Sequence, residues 1–250
     1  TAKFVPIVNP GHNQEKMYSL LMGEEVDVNG VEGNDGFNWG NIEKEEVFCD
    51  YYTMRMIRSA RMHYMQLAES YVNSAFSLER ANDTTGTNEA KVKEYREKAV
   101  ALLDKQYEVF PIESCKIDEL LNYTALMYFR AKDSAKGFER SKELAEYYSE
   151  NIDYFARQNG KYIAEMFQEI GGFMSHFVAL EQGTGDNSFA LANFNPEGYD
   201  ALAKKFQQLA VENENFREMV QRDIYTVGQT RRPGVIPVDF YQYAIPNFLP

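Results

Sequence analysis

Residues 47–73, VFCDYYTMRMIRSARMHYMQLAESYVN, decide the fold. On a helix, at about 100° per residue, their apolar side chains cover an arc close to half the circumference. An apolar arc of this width must be covered by other parts of the chain on more than one side. We therefore expect a central scaffold helix on which the rest of the chain stacks. The arc comprises Met56, Ile57, Ala60, Tyr64, Leu67, Ala68, Tyr71 and Ala75.

The sequence also predicts the ends and the polar side of this helix. Asp50 is a natural N-cap, and we expect the helix to run to about Arg80. Arg61 falls at the margin of the apolar arc, where an unpaired guanidinium would be costly, so we expect it to pair with a carboxylate. One polar strip remains, formed by Arg55, Arg58, Gln66, Glu69 and Asn73.

Helical spacing continues through most of the chain, and no strand pattern of useful length is present. The first two long helices are expected to form a hairpin, and the Gly171-Gly172 pair predicts a kink or a close helix crossing. We predict a short helix at 12–22 and about six main helices at 51–80, 88–110, 114–132, 134–158, 161–182 and 195–228.

The sequence predicts three regions. Residues 1–46 read as an extended arm, the short helix and an acidic, glycine-rich loop packed on the body, with Trp39 pinning the loop. Residues 47–228 form the helical repeat-like domain. Residues 229–250, rich in Pro, Phe and Tyr, are expected to be an extended aromatic tail lying in a groove.

Two places resemble tetratricopeptide units, although the repeat period is not clean. The segment EKAVALLDKQYEVFP, 97–111, has the alanine, paired leucines, aromatic residue and terminal proline of a second repeat helix, and LAESYVNSA supplies its partner. NYTALMYFRAKDSAKGFERSKELAEYY supplies both helices of another unit. We therefore predict an all-α, tetratricopeptide-like antiparallel helix-hairpin stack; an irregular helical bundle is the alternative.

Composition excludes several partners. The formal charge of −12 disfavours nucleic acid and anionic lipid, which both favour a Lys/Arg surplus. The charge is uneven, because an acidic leader precedes a helix start rich in arginine, and the two could pair internally. No apolar run of membrane-spanning length and no signal peptide is present, so we expect no direct membrane insertion by this segment. The start at Thr1 suggests a processed protein or a fragment.

No catalytic or metal constellation is recognisable, and we predict no cofactor. Cys49 and Cys115 stand 66 positions apart without a CxxC motif, and they leave the redox compartment open. The three histidines match no zinc motif. The acidic run at 27–36 fails the calcium-loop spacing because Val31 stands at the third ligand position. The methionines of the scaffold helix, Met54, Met56, Met62 and Met65, fit the core better than an adaptable groove.

A more specific resemblance is carried by NWG at 38–40, VFCDYYTMRMIRSARMHYMQLAESYV and EKAVALLDKQYEVFP, in that order. Together these resemble the C-terminal soluble region of the DUF2723 family, large membrane proteins of Bacteroidetes likened to multi-spanning GT-C glycosyltransferases. The resemblance implies a tetratricopeptide-like tail on the periplasmic face of the inner membrane, tethered by a preceding membrane domain. It carries over no catalytic residue, because the GT-C catalytic carboxylate lies in that membrane domain.

The function expected is a non-catalytic, extracytoplasmic interaction or scaffold module. Repeat stacks present a concave surface lined by their first helices, suited here to a peptide, a glycan or the protein's own membrane domain. The alternatives are a SusD-like carbohydrate-binding surface lipoprotein, suggested by the aromatic content and Trp39, and a hydrolase or transferase, suggested only by abundant carboxylates. The candidate binding residues are Tyr52, Arg55, Ser59, Arg58, Gln66 and Trp39.

Overall fold

The computed structural model describes residues 14–23, 26–28, 31–34, 37, 39, 42, 44, 49–81, 87–158, 162, 164–165, 167–172, 196–230, 240–241 and 244. The fold is all-α, as predicted. Residues 167–172 are also helical. The seven principal helices of the described residues are α1 (Gln14–Met22), α2 (Tyr51–Arg80), α3 (Thr87–Val109), α4 (Glu119–Arg130), α5 (Ser134–Ala156), α6 (Pro196–Glu212) and α7 (Glu214–Thr230).

A short antiparallel hairpin lies within the segment predicted to be an acidic, glycine-rich loop, where no strand pattern of useful length is recognisable. It consists of β1 (Val26–Val28) and β2 (Val31–Asn34), with Val28 paired to Val31. The sequence signal is Asn29-Gly30 between two valine-containing runs, a pattern typical of two-residue hairpin connections. The many acids and glycines of this stretch favoured the prediction of an irregular loop over that of a hairpin.

The central helix α2 begins and ends where predicted. The Asp50 carboxylate accepts a hydrogen bond from the Thr53 amide at 2.7 Å, so it is the N-cap. Hydrogen bonding to the ionised carboxyl lowers the pKa of Asp50. At the other end, the helix stops before Ala81, which has an extended backbone.

The pairing of α2 with α3 is an antiparallel hairpin. Tyr64 contacts Phe110 near one end, Tyr71 contacts Tyr95, and the Asn88 side chain donates to the Leu78 carbonyl at 3.4 Å near the other end. Residue numbers therefore rise along α2 as they fall along α3. This confirms the predicted hairpin.

Helix α4 runs beside α2 in the same direction. Asp118, just before α4, pairs with Arg61, and Arg130, at its end, donates to Asn73 at 3.0 Å. Against α3 the order reverses, since Gln106 donates to Thr124 and Asp104 accepts from Tyr128. α4 begins at Glu119 rather than at the predicted 114, because Asp118 caps it by accepting from the Leu120 amide.

The buried side of α2 matches most of the predicted arc. Ile57, Ala60, Tyr64, Leu67, Ala68, Tyr71 and Ala75 are all buried. Met56 is the exception, with 74% of its surface exposed, so its assignment to the core is wrong. The methionine prediction is only partly right, because Met54 and Met65 pack against the core while Met62 is 37% exposed.

The N-terminal segment packs onto α2, as expected. The Tyr64 hydroxyl donates to the Leu21 carbonyl at 2.8 Å, and Tyr18 meets Tyr71 edge to face. Trp39 contacts Tyr64 and Phe110 with ring centroids 6.3 and 5.0 Å away. Trp39 therefore pins its segment to the helical body.

The chain divides into two compact units, Thr1–Phe138 and Glu139–Pro250. This boundary falls inside the predicted domain 47–228, and the three predicted regions stay predictions. Within the second unit, Gly172 approaches Tyr148 of α5, and a Cβ at Gly172 would lie 3.4 Å from that ring. This distance is an ordinary van der Waals contact, so the kink or close helix crossing expected at the glycine pair stays a prediction.

The second unit corrects two predictions. The helix expected at 195–228 is two helices, because Asn213 interrupts it and caps α7 by accepting from the Phe216 amide at 3.1 Å. Phe240, Tyr241 and Ala244 are helical and buried, so the tail is not extended at these residues. The predicted arm at 1–11 and most of the tail lie outside the described residues.

Candidate functional site

The first half of α2 is held by the buried guanidinium of Arg61. Its Nη1 donates to Asp118 at 3.0 Å and to the Lys116 carbonyl at 2.8 Å. Its Nη2 donates to the carbonyls of Cys115 at 2.9 Å and Phe110 at 3.3 Å. The predicted pairing of Arg61 with a carboxylate is confirmed, and the connection between α3 and α4 is bonded to α2.

The opposite side of the same turns is exposed and rich in large apolar side chains. Tyr51, Tyr52 and Met56 are 71%, 72% and 74% exposed. The Tyr51 and Tyr52 rings meet edge to face at 5.6 Å, and the Arg55 guanidinium lies 6.0 Å from the Tyr51 centroid. We call this surface the α2 face; it comprises Tyr51, Tyr52, Arg55, Met56, Arg58, Ser59 and Met62.

The charged side chains of the α2 face are both arginines, in a chain that is acidic overall. No Asp or Glu occurs in the sequence from residue 51 to 68, while the whole chain has a formal charge of −12. Arg61 contributes little outward charge, because it is fully buried and paired with Asp118. Arg55 and Arg58 are the exposed arginines of this surface.

Arg130 of α4 contacts α2 beyond the α2 face. It donates to Asn73 at 3.0 Å and pairs with Glu69 at 3.5 Å, and its guanidinium lies 5.9 Å from the Phe76 ring. The second half of the predicted polar strip is therefore used in packing between helices. Of the predicted polar strip, Arg55 and Arg58 in the first turns of α2 remain exposed.

Four of the six predicted binding residues share the α2 face, namely Tyr52, Arg55, Arg58 and Ser59. Gln66 follows on the same strip and is half-buried. Trp39 lies apart from them, because it contacts Tyr64, which points to the buried side of α2.

The prediction missed three members of the face: Tyr51, Met56 and Met62. Tyr51 is the first residue after the N-cap. Its place at the end of the helix could have indicated that it is exposed. The two methionines were assigned to the core from their spacing.

A cleft of about 550 Å³ lies between α3 and the turn that joins α4 to α5. Two of its charged residues are engaged within the protein, since Asp104 accepts from Tyr128 at 2.9 Å and Arg96 pairs with Glu79.

The described residues contain no group of three or more His, Cys, Asp or Glu side chains that could hold a metal ion. Among their helices, none has the length and apolar content needed to cross a bilayer. Comparisons of this chain with known proteins found no matching family model, curated protein or solved structure.

Proposed function

We propose that this chain is a non-catalytic interaction module that uses the α2 face to bind an acidic peptide segment bearing apolar side chains. The observation that supports this is the cluster of exposed Tyr51, Tyr52 and Met56 beside Arg55 and Arg58. Large exposed apolar clusters are uncommon on soluble proteins and mark interaction sites. Arginine and tyrosine are also the residue types that dominate binding energy at interfaces.

The apolar side chains and the arginines of the α2 face would make different contacts with the bound peptide. Tyrosine supplies contact area at low entropic cost, and methionine adapts its shape to the partner. Arg55 and Arg58 would pair with carboxylates, for which the guanidinium fork is well matched. The absence of acids from 51 to 68 favours a negatively charged partner over a positively charged one.

The α2 face is supported by contacts at the start of α2 and on its buried side. The Asp50 cap fixes the start of α2, and Arg61 bonds its fourth turn to the α3–α4 connection. Side chains on such a supported helix lose little backbone freedom when they bind, which favours affinity. Rigidity is therefore part of the proposal.

The wider proposal follows the sequence resemblance. A tetratricopeptide-like stack is supported by the order of packing, with α3 antiparallel to α2 and α4 parallel to α2. The DUF2723 resemblance implies a periplasmic position and a membrane domain of the same protein as the source of the bound segment. In the SusD-like alternative Trp39 would be the sugar platform, yet it packs onto Tyr64 and Phe110.

Selection from a library of random dodecapeptides displayed on phage tests the proposed function. We expect enriched peptides to combine Asp or Glu with aromatic or aliphatic residues. Binding of these peptides should be lost in Tyr52→Ser and retained in Tyr225→Ser, a control tyrosine that is 68% exposed on α7.

Three outcomes would overturn the proposal. One is the absence of any enriched peptide, and another is equal binding of the enriched peptides to Tyr52→Ser. The third is binding of acidic oligosaccharides, tested on an immobilised panel, in place of peptides. Circular dichroism of each variant checks that α2 remains helical.

A further inference from the structure

The exposed residues of the α2 face have the spacing of a contact between two helices. Tyr52, Arg55, Ser59 and Met62 are exposed at intervals of three and four residues, and the half-buried Gln66 continues the series. At about 100° per residue, these side chains fall within an arc of about 80°. They therefore form a stripe that runs along the helix axis, and its four exposed members extend over about 15 Å.

Two overlapping holes lie along this stripe. Four residues at positions i, i+3, i+4 and i+7 surround a hole on a helix surface, and such a hole accepts one side chain of a packed helix. The first hole is surrounded by Tyr52, Arg55, Met56 and Ser59, and the second by Arg55, Arg58, Ser59 and Met62. All residues of both holes are exposed. Ser59, the smallest of them, belongs to both, so a partner can approach closely there.

The backbone of α2 offers a bound peptide few partners. From Met54 onward its amides donate within the helix, beginning with the bond from the Met54 amide to the Asp50 carbonyl at 2.9 Å. An extended peptide lying on the face would lose water from its own amides and carbonyls without gaining backbone partners, which is costly. A helical peptide bonds these groups internally. The α2 face therefore favours a helical partner over an extended one.

We propose that the α2 face binds a short amphipathic α-helix that packs along α2. The partner is the acidic peptide segment of the proposed function, on which this inference rests. Apolar side chains of the partner, spaced three or four residues apart, fill the two holes beside Ser59, and the helices cross at about 20°. Carboxylates at flanking positions of the partner pair with Arg55 and Arg58.

Charge argues against a second copy of the same surface as the partner. Two α2 faces packed on each other would bring Arg55 and Arg58 against arginines of the other copy. No Asp or Glu occurs in the sequence from 51 to 68 to neutralise them, and like charges brought together at an interface are unfavourable. An acidic helix meets the same arginines with the opposite charge.

Proline substitutions in the bound peptide test its conformation. The probe is the tightest-binding dodecapeptide from the phage selection, and isothermal titration calorimetry measures its dissociation constant for the full chain. Proline at a central position outside the apolar stripe should raise this constant about tenfold or more, because proline breaks a helix interior. Alanine at the same position, or proline in the first turn of the peptide, should change it by less than about twofold.

A bulky substitution in α2 tests the position of the partner. Ser59→Trp fills the space between the two holes and should raise the dissociation constant about tenfold or more. Ser77→Trp, at an exposed serine near the other end of α2, is the matched control and should leave it unchanged. Circular dichroism checks that both variants remain helical.

The outcomes separate this inference from the proposed function. Equal binding of the two proline peptides would overturn the helical partner and leave the α2 face as a binding site. Binding to Ser59→Trp as tight as to the unaltered chain would overturn docking over the two holes. A selection that yields no binding peptide would overturn the proposed function, and the helical partner with it.

Discussion

The carboxylate of Asp118 makes two contacts at once. Its Oδ2 accepts from the buried Arg61 of α2 at 3.0 Å, and its Oδ1 accepts from the Leu120 amide at 3.0 Å as the N-cap of α4. One side chain therefore starts a helix and fastens it to the scaffold. The exposed α2 face lies on the turns that Arg61 anchors.

Replacing Arg61 with Met is predicted to destabilise the protein strongly. The substitution leaves Asp118 and three backbone carbonyls without their donor, and breaking a buried ion pair in this way costs about 3–5 kcal/mol. The free energy of unfolding in urea, followed by circular dichroism, measures the loss. Arg80→Met, at an exposed residue of the same helix, should change it by less than about 0.5 kcal/mol. Equal effects for the two variants would show that the Arg61 network is dispensable.

Gly137 of α5 is predicted to be intolerant of a methyl group. A Cβ at this position would lie 2.6 Å from the nearest ring carbon of Phe129, so Gly137→Ala should cost about 1–3 kcal/mol. Gly172→Ala is the matched control, since its Cβ would lie 3.4 Å from Tyr148 and alanine favours the helix. Thermal unfolding compares the two variants. Destabilisation by Gly172→Ala alone would contradict the packing described at Phe129.

Stability is predicted to fall in alkali because tyrosines are buried. Desolvation raises the pKa of both Tyr64 and Tyr241, and Tyr241 also donates to Asp223 at 2.7 Å. In the unfolded chain a tyrosine has a pKa of about 10. Below this pH each buried tyrosine contributes its full stabilisation to the folded state, and this stabilisation is lost as the pH rises above that value. The unfolding free energy should fall by at most about 1.4 kcal/mol per pH unit for each residue.

Tyrosine variants show which residues cause the loss of stability at alkaline pH. Tyr64→Phe should flatten the profile above pH 10, because phenylalanine has no proton to lose. At neutral pH it should cost about 1–3 kcal/mol, since the buried Leu21 carbonyl loses its donor. Tyr225→Phe, at an exposed residue, serves as the control. An unchanged alkaline slope in Tyr64→Phe would assign the loss to other groups.

Local signals in the sequence predicted the scaffold well. Asp50 and the apolar spacing of α2 each act through contacts that are short in sequence or set by helical period. The pairing of Arg61 could also be foreseen, because burial of a guanidinium demands a partner. The identity of that partner, Asp118, could not, because it depends on how α4 packs beside α2.

The errors arose where tertiary context decides. Met56 has the spacing of a core residue, yet no described element covers that edge of α2. Asn213 stands inside a continuous apolar pattern, and its capping of α7 divides one predicted helix into two. Pattern and spacing alone contain none of these long-range relations.

The most direct test of the α2 face is the affinity of one selected acidic peptide for two double variants of equal net charge. In isothermal titration calorimetry, Arg55→Ala/Arg58→Ala should raise the dissociation constant about tenfold or more. Arg80→Ala/Arg222→Ala, at exposed arginines elsewhere, should change it by less than about twofold. An unchanged dissociation constant in Arg55→Ala/Arg58→Ala, or an equal rise in both double variants, would contradict binding at the α2 face.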